Sequence, residues 1–176
     1  MTVSLDTLRA QPLTLIQPAT AALANGGSIG AWKRQMELAI RRSQTAAYIA
    51  ATAERLGVSP KAVRGLSRAE RKELDARIDA QLKYLDGFVA DLKAGKLTMA
   101  QAAARANMYA GANRGTYYAT RYHGLPFYPT EGSECMVNCK CSWRQQGADY
   151  YWTLHAAEHC PTCLNRQSGN PYQVSV

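Results

Sequence analysis

Apolar positions in this chain recur mostly at helical spacing. Trp32, Met36, Ile40, Ala47 and Ala51 share one face of a helix that opens at Ser28, a residue suited to an N-cap, and stops at Leu56-Gly57. Gly57 fits the left-handed position that follows a helix. Ser59-Pro60 reads as the start of a short helix, with proline at its first position. Ser67-Arg68-Ala69-Glu70 has the spacing of a capping box, and behind it Leu74, Ile78, Leu82, Leu85, Val89 and Leu92 form a single stripe. Ala94-Gly95 closes that helix. Thr98-Met99-Ala100-Gln101 is a second capping box, followed by Ala102, Ala106 and Ala110 on one face. This pattern predicts a third long helix running to about Tyr122, stopped by His123-Gly124-Leu125-Pro126.

The flanks are patterned differently. Residues 1–27 read as an N-terminal docking arm, because Gln11-Pro12 and Gln17-Pro18 should break a helix and Ala24-Asn25-Gly26-Gly27 should turn. Leu13, Leu15 and Ile16 give the arm apolar side chains, so it is either a loose tail or a segment that orders on a partner. From Pro126 the chain becomes turn-rich. A short strand is expected between Cys135 and Trp143 and a short helix between Asp149 and His159, and a polar tail follows Cys163. The expected fold class is mainly α: three long helices as a bundle or extended hairpin (28–124), then a small cysteine-rich zinc-knuckle module with a short strand or two (125–176).

Composition supports a folded chain, with 47% hydrophobic and 19% charged residues. No run of about 18 uncharged apolar residues exists, so no membrane span is expected. Met1 to Pro12 lacks a basic region followed by an apolar stretch, so no export signal is expected. The net charge of +8 is unevenly placed. Residues 30–122 carry 17 basic and 8 acidic side chains, while the flanks nearly balance. A positive field of that kind favours acidic partners such as nucleic acid.

All five cysteines lie between Cys135 and Cys163. An odd number, tightly clustered and without an export signal, points to metal rather than to disulfides. Cys139-x-Cys141 on a strand and Cys160-x2-Cys163 in a turn can each present two thiolates to a tetrahedral ion. The expected structural Zn2+ ligands are Cys139, Cys141, Cys160 and Cys163, with Cys135 or His159 as alternates. The other reading is a set of reduced cysteines packed in a small core. His155-Ala156-Ala157-Glu158-His159 matches an inverted zinc-protease motif, but no carboxylate follows Glu158 to complete that site. No nucleophile elbow, phosphate loop or dinucleotide fingerprint is present, so no enzyme is expected. Arg105, Arg114, Tyr117, Tyr118 and Arg121 are candidates for contact with nucleic acid or a partner, through phosphate neutralisation and base stacking. Alternatively, they form a solvated face and a tyrosine cluster packed on the knuckle.

Asn138-Cys139-Lys140-Cys141-Ser142-Trp143, Tyr151-Trp152 and Glu158-His159-Cys160-Pro161-Thr162-Cys163 together resemble the C-terminal end of tailed-phage minor head proteins of the phage Mu F-like family. Arg105-Ala106-Asn107-Met108-Tyr109 and Gly124-Leu125-Pro126 are also similar to a subset of that family. Met136-Val137 stands where many members have His-Pro. The resemblance implies a structural virion protein of head morphogenesis, multimeric at the capsid interior or connector. Its implied partners are portal or other capsid proteins and, for some members, packaged DNA. The implied location is the virion, with assembly in the host cytoplasm. A zinc-knuckle nucleic-acid-binding protein without a virion role is the alternative.

Overall fold

The computed structural model describes residues 5–128, 141–155 and 158–174. Among the described residues there are six α-helices: α1 (Leu5–Ala24), α2 (Ile29–Leu56), α3 (Arg68–Lys93), α4 (Met99–Tyr109), α5 (Asn113–Arg121) and α6 (Pro161–Ser168). A 3-10 turn covers Pro60–Ala62, and a hairpin of β1 (Ser142–Gln146) and β2 (Asp149–Thr153) precedes α6. The protein is thus mainly helical, with a small two-stranded antiparallel sheet among the described residues. None of its helices is long and apolar enough to cross a membrane among the described residues.

Helix α2 is the axis of the body, packed by α1, α3 and α5. Its ends are built as its sequence implies. Ser28 Oγ accepts from the Ala31 N–H at 3.1 Å, and Gly57 has φ +67°. Both capping boxes close reciprocally. The Ser67 N–H donates to Glu70 Oε2 at 2.8 Å while the Glu70 N–H donates to Ser67 Oγ at 3.2 Å. Thr98 and Gln101 repeat the arrangement at 2.9 and 3.2 Å. The main core joins Ile16 of α1, Trp32, Met36 and Ile40 of α2, Leu85, Phe88 and Val89 of α3, and Ala102 and Ala106 of α4. Trp32 meets Phe88 edge-on at 5.0 Å. The alanines of α4 leave room for this close approach.

Two expectations about the body are overturned. The docking arm is helix α1, with Pro12 and Pro18 inside it, and its apolar side is spent within its own chain on α2 and α4. Proline at position i leaves the carbonyl at i−4 without its helical donor. For Pro12 that carbonyl belongs to buried Leu8, and the Asn113 side-chain amide donates to it at 2.6 Å. For Pro18 it belongs to Thr14, an exposed residue. The Trp32 indole N–H also donates to Thr20 Oγ1 at 3.1 Å, fixing α1 on α2. The third long helix expected from Thr98 to about Tyr122 is instead two helices, α4 and α5. Between them Ala110, Gly111 and Ala112 donate three residues back, to Asn107, Met108 and Tyr109, a tighter turn that re-aims α5. Helix α5 then packs on α2 through a second core of Leu8, Ala47, Ala50, Ala51, Tyr117 and Tyr118.

Candidate functional site

The cysteine-rich end is built on the hairpin. Gly147, at φ +62°, makes the turn between β1 and β2, and Trp143 pairs with Trp152 across the strands. The helix expected over Asp149 to His159 is therefore replaced by strand β2. Its Asp-Tyr-Tyr-Trp-Thr sequence is rich in residues that suit a pleated surface. Cys160 caps α6, with Pro161 as its first residue, where a missing N–H costs nothing.

This end has a core of its own. Phe127 stacks on Trp143 at 5.1 Å, and Trp152 meets both rings edge-on at 5.3 and 5.2 Å. Tyr172 closes the box against Phe127 and Trp143 at 5.1 and 5.2 Å. The Arg166 guanidinium lies 4.3 Å over Phe127. The Trp143 indole donates to the Phe127 carbonyl at 3.0 Å. Asn170 clamps the Trp152 backbone, accepting its N–H at 2.6 Å and donating to its carbonyl at 3.0 Å. The Tyr122 hydroxyl donates to the Trp143 carbonyl at 3.3 Å, joining this end to the body.

Cys141 and Cys163 are both fully buried in this core, and half-buried Cys160 packs against it. His159 Nδ1 lies 3.6 Å from Cys141 Sγ. Its Nε2 lies 2.6 Å from the His155 carbonyl, which can only accept, so the proton sits on Nε2 and the Nδ1 lone pair faces the thiol. The contact is that of a thiol beside a ring nitrogen, with a backbone carbonyl orienting the imidazole. Among the described residues, no group of three or more His, Cys, Asp or Glu side chains converges to hold an ion. Cys139 and Cys135 lie outside the described residues.

The protease motif does not assemble among the described residues. His155 and His159 are not helical, and the His155 Nε2 lies 2.7 Å from Ser142 Oγ instead of converging with His159. Glu158 is exposed.

The two tyrosine candidates are buried in the body, while Arg105 and Arg121 form ion pairs at its edge. Tyr117 and Tyr118 are buried, so neither ring offers a face to a base. The Tyr117 hydroxyl donates to Glu54 Oε2 at 2.7 Å, and Arg121 pairs with the same carboxylate. Burial pushes the Tyr117 hydroxyl well above the usual phenol range, so it stays a neutral donor. Arg105 binds Asp91 at 3.0 Å with its guanidinium 4.7 Å over Phe88. Arg114 is half-buried beside Tyr118, 5.8 Å from its centroid. Nothing in the sequence around Glu54 marks it as the partner of these groups. The available signal is the four-residue spacing of Tyr117 and Arg121, which places both on one helical face.

In comparisons with known proteins, no family model, no curated protein and no solved structure matches this chain.

Proposed function

We propose that this chain is a structural protein of a tailed-phage particle, a minor head protein associated with the portal and acting in head morphogenesis, and not an enzyme. The observation that carries the reading is the Asn-Cys-Lys-Cys-Ser-Trp run with His-Cys-Pro-Thr-Cys downstream and its resemblance to the phage Mu F-like minor head proteins. The packing is compatible with such a role, because Thr116, Tyr117 and Arg121 of α5 are engaged in internal bonds. In this reading the protein assembles at the capsid interior or connector against portal or other capsid proteins, in several copies.

The cysteine-rich end would carry one structural Zn2+. Cys139, Cys141, Cys160 and Cys163 would hold it, with Cys135 or His159 as alternates, and a filled shell leaves no open position for catalysis. When bound, zinc supplies cross-links between the hairpin and α6. The chain's own aromatic box buries the remaining surface.

Deleting the chain from a phage that encodes it tests the role. The expected result is loss of infectious titre with heads that are absent, empty or unjoined under the electron microscope. Normal titre and normal heads would overturn the reading.

A further inference from the structure

We infer that the corner where α2 ends and α3 begins is a contact surface for the phosphate backbone of duplex DNA, and that the α5 residues with the basic and aromatic pattern are not. Residues 55–72 hold six cations against one carboxylate, Glu70, and so carry five of the chain's eight net positive charges. Five of the six, Lys61, Arg64, Arg68, Arg71 and Lys72, are exposed and make no ion pair among the described residues. Arg55 is the exception, bound to Glu70 at 3.3 Å. The rest of α3 reverses sign: Glu73, Asp75, Asp79, Asp86 and Asp91 outnumber its three remaining cations, Arg77, Lys83 and Lys93. The positive field is therefore confined to one end of the helix.

Local structure does not account for these cations. The first turn of a helix favours acidic side chains, and its N-cap bonds are already made by Ser67 and Glu70. Arg68, Arg71 and Lys72 are three and four residues apart, so they share one helical face. Lys61 and Arg64 extend that charge along the preceding loop.

The kind of polyanion follows from what the corner lacks. No aromatic residue occurs in 55–72, so the segment offers no ring to stack on unpaired bases. Exposed Arg and Lys without stacking groups suit the regular phosphates of a duplex and give little sequence preference. This surface is independent of the particle role proposed above. A virion component need not touch DNA, and a DNA-binding protein need not belong to a virion.

The test is fluorescence anisotropy of the full chain on a labelled duplex of mixed sequence, across about 50 to 200 mM salt. Binding should weaken steeply with salt. Changing Lys61, Arg64, Arg68, Arg71 and Lys72 together to Gln should lower affinity at least about tenfold and flatten the log–log salt slope by about 0.9 for each phosphate left without its cation. A control variant, Arg34→Gln, Arg41→Gln and Arg42→Gln on α2, should bind within about twofold of the original chain. The inference is overturned if the original chain fails to bind duplex, if the corner variant binds unchanged, or if both variants lose affinity equally. Binding to anionic phospholipid vesicles in place of the duplex would also overturn it. None of these results bears on whether the chain is found in particles, so the two proposals fail separately.

Discussion

Asn113 is predicted to hold α1 in place by serving the carbonyl that Pro12 leaves without a donor. Asn113 is fully buried, and its amide donates to the Leu8 carbonyl at 2.6 Å across 105 residues of sequence. Asn113→Ala removes that donor and leaves a buried acceptor unpaired, which costs about 1–3 kcal/mol. Part is returned, because Asn113 Oδ1 itself has no partner among the described residues. A net loss of about 1–2 kcal/mol should lower Tm by roughly 3–6 °C in a chain of this size. A stability loss alone would not prove the mechanism, since any buried truncation destabilises. The decisive comparison is a double-mutant cycle with Pro12→Ala, which restores an N–H that can bond the Leu8 carbonyl within α1. In that background Asn113→Ala should cost about 1 kcal/mol less, read by thermal melting or urea unfolding with circular dichroism. Effects that add to within about 0.3–0.5 kcal/mol would refute the reasoning.

Other predictions follow from the same contacts. Glu54→Leu strips the partner from Arg121 and Tyr117 in a largely buried cluster, and should cost about 1–3 kcal/mol by urea unfolding. A cost equal to that of an exposed pair would show that the network carries no weight. Burial raises the Tyr48 and Tyr109 hydroxyls to about 12 from an ordinary value of 10.0. The unfolded chain therefore gives up these protons first, so stability should hold below pH 10 and fall between about pH 10 and 12. Melting across that range, with phenolate absorbance, should show their ionisation coinciding with unfolding. The Glu70 carboxyl is held below its ordinary 4.5, first by the Ser67 backbone N–H and then by the Ser67 side chain. Its contribution is present above that value and is lost as pH falls through the lowered one, so Glu70→Gln should flatten the acid limb of the stability curve. Purification without chelators should yield about one zinc per chain, and chelation should lower Tm while the α-helical signal persists. Zinc-free protein with an unchanged melt would overturn the metal proposal.

The parts of the fold visible in sequence are those set by local chemistry. Ser28, Ser67 with Glu70, Thr98 with Gln101, and Gly57 each act within one helical turn, and each is found doing so. The apolar stripe of α3 is buried at Leu74, Ile78, Leu85 and Val89 as its period requires. Helix α1 is hidden in the sequence because what rescues Pro12 is Asn113, far along the chain. The break after Tyr109 rests on a change from four-residue to three-residue hydrogen bonding, with Gly111 as its one local hint. The hairpin is legible in hindsight, since Gly147 followed by Asp-Tyr-Tyr-Trp-Thr is turn and strand chemistry, and Pro161 similarly marks α6.

The candidate site divides along the same line. Clustering of the cysteines is readable from spacing, and Cys141, Cys160 and Cys163 do share one core. The aromatic box around them depends on Phe127 and Tyr172, brought together across 45 residues, which no local pattern encodes. Tyr117, Tyr118 and Arg121 have the spacing of a binding face, but helical spacing gives a side and not its neighbour. That neighbour is α2, through Glu54, Ala47 and Ala51. The cations of 55–72 do not stand out in sequence because exposure is a tertiary property.

The most direct test of the proposed role is quantitative mass spectrometry of density-purified, nuclease-treated particles from a phage carrying this chain. The chain should be found in finished particles at a constant copy number relative to the portal protein, and should still be present after a high-salt wash. Its absence from particles, with the protein left free in the lysate, would contradict the account.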